Sequence, residues 1–437
     1  MWRMAAAISG ILTFVTAIAG NVLAQSPQTQ TLDQRLTQAA SENRYRLEYI
    51  DGAFSGPAWE ILLREARKAQ FFLLGEEHGI AENPKLAAAL FRELTSSGYS
   101  KVAIEISPPI AAQLDRVLRE DGLEGLRDLY ATPGGEPAFF GMKEEAEFIS
   151  AVRDAVKDKS PVLWGADYEV SGDRQLIAML EAKRKPDDAE TALAALRQAS
   201  NQSWVKYFET GGPQFIFSFA GDPELVRAVK EAWPRRDDHA SWVLDTLEET
   251  LEINKLWVTG NSWASNERRG AFLRSNFLRH WRAEQKKENA PKVLAKFGAS
   301  HLVRGRNNTE TYDLGALLPE LAEIHGGEAF SVLVLPGAGA MTAVLNPTDF
   351  SYAPAPAKDG YARGIEAITT AAYGDAFTLI DLRPLRPMLG SAARDASADM
   401  KRIVHGFDMM LMMSGSTAST ELVHPKPDPA SLLDRAQ

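Results

Sequence analysis

A short apolar run leads directly into a polar turn in the stretch Phe71-Phe72-Leu73-Leu74-Gly75-Glu76-Glu77-His78-Gly79. The four apolar residues predict a buried strand that ends at Leu74. Residues two apart in extended backbone share a face, so we expect Glu76 and His78 to point together while Glu77 turns away. The stretch therefore predicts a sheet strand that delivers a carboxylate and an imidazole at its carboxyl end.

Further apolar runs along the chain predict strands and alternate with helical patterns. They cover residues 101–106, 161–165, 292–297, 330–335, 376–382 and 409–413. Such alternation is typical of an α/β protein. We predict a central, mostly parallel sheet flanked by helices, in a single domain over residues 45–437.

Two long segments depart from this alternation. Residues 173 to about 289 offer helical patterns and no convincing strand, so we interpret them as a helical insertion that forms a lid over the sheet. Residues 336–364 are rich in Gly, Pro and Ala, which predicts a long irregular loop.

The first 24 residues have the pattern of a secretory signal peptide. Arg3 is followed by an apolar run from Ala5 to Leu23, and small residues precede a cleavage site after Ala24. A retained membrane anchor is the alternative, because the run approaches the roughly 20 residues that span a bilayer. We predict cleavage, a periplasmic or secreted protein with no stable membrane anchor, and a flexible leader over residues 25–44 that is loosely ordered or at best helical.

The composition limits the chemistry that this chain can perform. Cysteine is absent, which excludes disulfides, thiolate nucleophiles and Cys-ligated zinc. The formal net charge is −10 and the Lys and Arg residues are scattered, so no nucleic-acid footprint is present. We expect a small-molecule partner and leave the oligomeric state open.

Polar residues at the ends of the predicted strands define a candidate site. In an open parallel sheet, ligands bind beyond the carboxyl ends of the strands. Glu76 and His78 follow the first predicted strand, Glu105 lies near the end of the second, residues 167–168 follow the third, and His301 follows the fourth. We predict that Glu76, His78, Glu105 and His301 are the catalytic residues.

Glu105 is individually the most informative of these residues. It lies between Ile104 and Ile106 in a run that is predicted to be buried. A buried carboxylate is costly unless it is paired. A histidine is the natural partner in this set.

Several blocks of this sequence resemble the erythromycin esterase-like proteins and their relatives, the ChaN-like haem-uptake and Tiki superfamily. The blocks are Leu74–His78, Val102–Glu105, Trp164–Tyr168, Asn266–Arg269 with Asn276, and Lys296–His301. Together they cover roughly residues 61–423 in order. One residue separates Glu76 from His78, as in the ChaN-like form, whereas the esterases typically have two, and Gly270 and Leu273 also depart from the esterase pattern.

The resemblance implies a fold and a set of roles. It implies a hydrolase that cleaves an ester or a lactone without a covalent serine and without a cofactor, and the signal-peptide pattern predicts that this hydrolase is exported. His78 would activate water, Glu76 and Glu105 would orient and polarise it, and His301 would stabilise the oxyanion or protonate the leaving group. Substrate binding would fall to Arg269, Asp167, Tyr168 and Asn276.

The same residues allow two further interpretations. As a Tiki-type metallohydrolase or protease, the chain would hold a divalent metal with Glu76, His78, Glu105 and His301. As a non-enzymatic ChaN-like protein it would bind haem or another ligand, with Tyr168, His78 or the run Met409–Met413 as candidates.

A serine hydrolase is the last interpretation that the sequence allows. Residues 260–264 nearly match the nucleophile-elbow pattern. They lack its final Gly and a preceding strand, so Ser262 is predicted to be a helix N-cap.

Overall fold

Parallel strands form the greater part of the central sheet. The computed structural model describes residues 30–131, 136–156, 160–285, 290–346, 351–357, 363–390 and 393–423. The strands are β1 (Arg44–Ile50), β2 (Ala53–Ser55), β3 (Phe71–Glu76), β4 (Tyr99–Ile104), β5 (Leu163–Gly165), β6 (Lys292–Gly298), β7 (Ala329–Pro336), β8 (Met341–Leu345), β9 (Tyr352–Pro356), β10 (Phe377–Asp381) and β11 (Met409–Met413). Within these ranges, nine strands form one sheet in the order β2-β1-β10-β11-β7-β3-β6-β4-β5.

The direction of each strand confirms the predicted fold class. Strands β11, β7, β3, β6, β4 and β5 are parallel to their neighbours in this order. The remaining three, β10, β1 and β2, pair antiparallel at one side of the sheet. Each parallel strand must be reached by a crossover connection, which explains why helices alternate with strands along the chain.

Helices cover both faces of this sheet. In the described part of the chain they are α1 (Leu32–Glu42), α2 (Pro57–Lys68), α3 (Glu82–Leu94), α4 (Pro108–Tyr130), α5 (Lys143–Ala155), α6 (Asp173–Glu181), α7 (Asp187–Thr210), α8 (Phe217–Ala220), α9 (Pro223–Ala232), α10 (Asp238–Val258), α11 (Ser262–Glu284), α12 (Leu314–Ile324), α13 (Glu366–Thr369) and α14 (Ala398–Gly406). Phe72 and Leu74 of β3 point into one apolar core, and Phe71 and Leu73 point into a second core on the opposite face. A strand buried on both faces has no polar alternation, which is why the run at residues 71–74 is continuously apolar.

The insertion is helical, as the sequence predicts. Helices α6 to α11 occupy residues 173–284, no strand occurs among its described residues, and 286–289 lie outside them. Helix α11 packs on the sheet itself, because the ring of Phe277 meets that of Phe71 edge-on at 5.6 Å. Helix α11 therefore belongs to the helical layer that covers the sheet. The predicted lid stays a prediction for the other helices of the insertion.

Two predictions about local structure are wrong. Residues 336–364, predicted as an irregular loop, contain the antiparallel hairpin of β8 and β9. The strands β1 and β2 are absent from the sequence prediction. In both cases most side chains are exposed or half-buried, so the sequence carries no apolar run that marks a strand.

The predicted leader is partly folded. Helix α1 buries Leu36, Ala39 and Ala40 in the second core, so residues 32–42 pack against the folded unit as a helix. Arg44 already belongs to β1. The predicted signal peptide and residues 25–29 lie outside the described residues.

A helix that crosses a bilayer must be both long and apolar. Among the described helices, none combines the length and the apolar character that a membrane span requires.

Candidate functional site

The candidate site lies at the carboxyl ends of four neighbouring strands. Glu76 is the last residue of β3, and Glu105 directly follows β4. Asp167 lies two residues beyond β5, and His301 lies in a short helical turn, Ala299–Leu302, directly after β6. Because β3, β6, β4 and β5 are adjacent and parallel, these side chains converge at one edge.

Glu105 lies at the centre of this group. Its Oε2 accepts a hydrogen bond from the Gly298 amide at 2.6 Å and lies 3.4 Å from His78 Nε2. Its Oε1 accepts from Arg269 Nη2 at 2.9 Å and lies 3.3 Å from His301 Nε2. Although burial raises the pKa of Glu105, the two histidines hold it well below the usual value. The prediction of a histidine partner is confirmed, with two histidines in place of one.

His78 is held between two carboxylates. Its Nδ1 lies 3.1 Å from Glu76 Oε1, so an Nδ1–H donates to that carboxylate and Nε2 faces Glu105. One face of the ring stacks on Phe139 at 4.2 Å between centroids. Burial lowers the pKa of His78, but Glu105 and Glu76 together raise it to about 10. In this arrangement His78 is a cation at neutral pH.

His301 is also held between two carboxylates, and one of them, Asp313, was not predicted from the sequence. Its Nδ1 lies 2.6 Å from Asp313 Oδ2, and its Nε2 faces Glu105. Burial and Arg269 lower the pKa of His301, whereas Asp313 and Glu105 raise it to about 10. Asp313 is the N-cap of α12, and an Asp before an apolar helical run has the ordinary sequence signature of a cap. Its second role therefore had no separate signal.

Arg269 reaches the site from the first half of α11. Its Nε donates to Asp167 Oδ1 at 3.0 Å, and its Nη2 donates to both Asp167 Oδ2 and Glu105 Oε1. The guanidinium also lies over the ring of Tyr168, 4.7 Å from its centroid. Asp167 and Tyr168 therefore contact Arg269, which fixes this cation beside Glu105.

Asn276 contacts the backbone next to Asp167. It is buried, and its Nδ2 donates to the Ala166 carbonyl at 2.9 Å. This contact ties α11 to the turn before Asp167. It gives Asn276 a positioning role, and its predicted contact with substrate stays a prediction.

A buried ion triad behind Glu76 was also missed by the sequence prediction. Lys296 Nζ lies 2.6 Å from Glu76 Oε1 and 2.6 Å from Glu145 Oε1. A lysine inside the apolar run of residues 293–297 is unusual for a buried strand, and this was the available signal. Glu145 lies in the first turn of α5, where an acidic residue is common, so nothing in the sequence marked it.

Part of this group could hold a metal ion. Glu105, Asp167 and His301 offer ligand atoms that all lie within 4.8 Å of one another. This set differs from the predicted one, because Glu76 and His78 are not part of it. Carboxylate and imidazole donors suit a divalent cation, but Arg269 already pairs with both carboxylates and a bound ion would have to displace it.

The methionine run and the near-match to a nucleophile elbow lie elsewhere in the fold. Met409–Met413 form β11, which is completely buried between β10 and β7. The N-cap of α11 is Asn261, whose Oδ1 accepts from the Ala264 amide at 3.2 Å, so the prediction of Ser262 as the cap is wrong by one residue. Ser262 starts this helix after α10 and does not follow a strand.

The fold and the site together define a class: an α/β protein with a His–carboxylate–Arg cluster at the carboxyl edge of a mostly parallel sheet. No protein-family model matches the chain. No curated protein matches it either.

Solved structures resemble it at low sequence identity. A variant of the erythromycin esterase EreC in an open conformation aligns with a TM-score of 0.57 and 17% identity, over 87% of this chain and 99% of the esterase. A succinoglycan biosynthesis protein aligns with a TM-score of 0.55 and 14% identity, over 90% of this chain and 99% of the other. The chain has the fold of the erythromycin esterase-like proteins, as the sequence resemblance predicts.

ChaN of Campylobacter jejuni, whose structure shows cofacial haem binding, aligns with a TM-score of only 0.28 and 14% identity, over 72% of this chain and 98% of ChaN. An alignment of this quality gives no argument for haem binding by this chain.

Proposed function

We propose that this chain is a hydrolase of the erythromycin esterase-like type that cleaves an ester or lactone bond of a small molecule with water activated by His78. One observation carries the proposal. Glu105 contacts both His78 and His301, and each histidine has its own second carboxylate, Glu76 or Asp313. Two imidazoles that face one carboxylate can serve as a base and an acid on opposite sides of a reacting carbonyl.

The roles follow from which nitrogen of each ring is held. Glu76 accepts from Nδ1 of His78, so the deprotonated ring presents Nε2 as the base. In the proposed step Nε2 takes a proton from water while the water oxygen bonds to the carbonyl carbon. The carbonyl oxygen becomes an oxyanion, which the charge of Arg269 would stabilise.

His301 would complete the reaction. Its Nδ1 is fixed by Asp313, so Nε2–H is the group directed into the site. As the bond between the carbonyl carbon and the alkoxide oxygen breaks, Nε2–H gives its proton to the alkoxide. The products are a carboxylic acid and an alcohol, and no covalent enzyme intermediate is required.

The proposal also covers the location of the enzyme and the kind of substrate. The pattern of the first 24 residues supports an exported protein, periplasmic or secreted. The negative net charge and the buried, polar site support a small-molecule substrate.

The test is a screen of ester, lactone and amide libraries with the wild type, His78→Gln and a matched control, His325→Gln. His325 is exposed and hydrogen-bonds Gln285, a residue outside the candidate site. We expect His78→Gln to lower kcat by about 10²- to 10⁴-fold, the usual contribution of a general base. A His78→Gln variant as active as the control would refute the mechanism.

A metal-dependent hydrolase is the second candidate, because the ligand atoms of Glu105, Asp167 and His301 lie so close together. Arg269 distinguishes the two candidates, since it would compete with an ion for the same carboxylates. A metalloenzyme should lose activity with chelator and gain metal content in Arg269→Gln. The metal-free enzyme should keep its activity in chelator, and Arg269→Gln should lose activity without gaining metal.

A further inference from the structure

The described residues of β6 contain a lysine whose charged end is buried behind the site. The side chain of Lys296 is 3% exposed, and those of its two partners, Glu76 and Glu145, are 2% and 3% exposed. The rings of Phe140 and Phe148 lie 5.8 and 5.7 Å from Nζ. Burial of three charged groups among aromatic rings costs free energy that an apolar triad would avoid.

The contact between Lys296 and Glu76 explains why a buried charge is placed here. Lys296 Nζ and His78 Nδ1 both approach the same oxygen, Glu76 Oε1, at 2.6 and 3.1 Å. A carboxylate oxygen fixed by a buried cation can turn little, so the direction of the bond to His78 is fixed as well. That bond decides which nitrogen of His78 faces the reacting atoms.

Glu145 is the second carboxyl group at Lys296 Nζ, and burial raises its pKa to about 7 although Lys296 lowers it. Its Oε1 contacts Lys296, while its buried Oε2 has no hydrogen-bond partner among the described residues. Its one contact keeps Nζ between the two carboxylates.

We infer that Lys296, held from the other side by Glu145, is a positioning residue that holds Glu76 against His78 and thereby fixes the orientation of the proposed base. The inference rests on the proposed function for its kinetic consequence. The orientation of His78 is a structural property that can be measured without a substrate.

The first test removes the buried pair as a unit. Lys296→Met combined with Glu145→Leu removes both groups of the pair and leaves the buried Glu76 carboxylate with His78 as its ion-pair partner, so we expect a folded protein with a melting temperature below that of the wild type. Glu145→Gln is the milder variant, because it keeps an acceptor for Lys296 and removes only the charge. Lys101→Met is the matched control: Lys101 is also a buried strand lysine, but it donates to the Pro161 carbonyl at 2.6 Å.

The direct measurement is the downfield proton resonance of the His78 imidazole, assigned by its absence in His78→Gln. We expect the double variant to lose or strongly shift this resonance, Glu145→Gln to shift it, and Lys101→Met to leave it unchanged. If the wild type hydrolyses a substrate, the double variant should lower kcat by about 10- to 100-fold, the usual effect of groups that orient a ligand or base, with KM unchanged.

The outcomes separate the two proposals. Folded Lys296 and Glu145 variants with an unaltered His78 resonance would overturn the positioning role. A wild type without hydrolytic activity but with the expected changes in resonance would refute the proposed function and leave the positioning role intact.

Discussion

At the scale of single residues, the charges of the two histidines dominate the site. Glu76 and Asp313 each hold one Nδ1, and Glu105 faces both Nε2 atoms. Carboxylates on both sides stabilise the imidazolium, so the resting site keeps its base protonated. The neutral form of such a histidine is a strong base, but only a small fraction of the molecules carry it at neutral pH.

The pH dependence of catalysis follows from that charge state. With a pKa of about 10, about one His78 in a thousand is neutral at pH 7. We expect kcat/KM to rise by about tenfold per pH unit from pH 7 to 9 and to fall once His301 loses its proton above about pH 10. A pH–rate profile checks this, and His301→Gln should remove the falling limb. A profile flat between pH 7 and 9 would exclude His78 as the base.

At the scale of elements, the β8–β9 hairpin supports the turn that carries His78. Thr342 Oγ1 donates to the His78 carbonyl at 3.0 Å, and the Ala343 amide donates to the Gly79 carbonyl at 2.8 Å. This close approach requires a residue without a side chain at position 79. A Cβ there would lie 2.6 Å from the Ala343 oxygen.

Gly79→Ala should therefore affect both stability and activity. Gly79 has φ of 84°, and Gly52 has φ of 83° but no atom within 4 Å of the point where a Cβ would lie, so Gly52→Ala is a matched control. The control should lose about 1 kcal/mol, the usual cost of a left-handed alanine. We expect Gly79→Ala to lose more stability and also to lower kcat, as measured by urea unfolding and kinetics. Equal effects of the two variants would show that the hairpin contact is unimportant.

Helix α1 is a second element whose role can be tested. Leu36 is completely buried, whereas Arg35 beside it is exposed. Leu36→Ala should lower the free energy of unfolding by about 2–5 kcal/mol because it opens a cavity in the second core. Arg35→Ala should change it little. A loss below about 0.5 kcal/mol for Leu36→Ala would mean that α1 is not part of the stable unit.

At the scale of the whole molecule, the site is coupled to stability through its protons. His78 and His301 have folded-state pKa values of about 10, above the ordinary value of 6.5. Their contribution to stability is therefore complete below about pH 6.5 and is lost as the pH rises through about 10. The buried cations that fix the site also help to hold the fold together at neutral pH.

The melting temperature should consequently fall between pH 6.5 and 10, by about 2 °C or more. Thermal unfolding at intervals of half a pH unit measures this. The double substitution of His78 and His301 by Gln should flatten the curve over that window. A wild-type melting temperature that rises across the window would contradict the proposed charge state.

The sequence by itself determined the sheet and the edge at which the site lies. Continuous apolar runs such as residues 71–74 mark strands buried on both faces, and polar residues after them mark the carboxyl edge. These signals are local, so Glu76, His78, Glu105 and His301 could be chosen without knowing the order of the strands. The exposed strands β1, β2, β8 and β9 lacked such a signal and were missed.

Only the tertiary structure decided how the chosen residues are connected. Lys296 contacts Glu145 across 151 positions of the chain, and Arg269 contacts Glu105 across 164. Asp313 and Glu145 each lie at a helix start, where their carboxylates have an ordinary local explanation. Their contacts with the site depend on which strands are adjacent, and strand order is set by packing of the whole sheet, which no local pattern encodes.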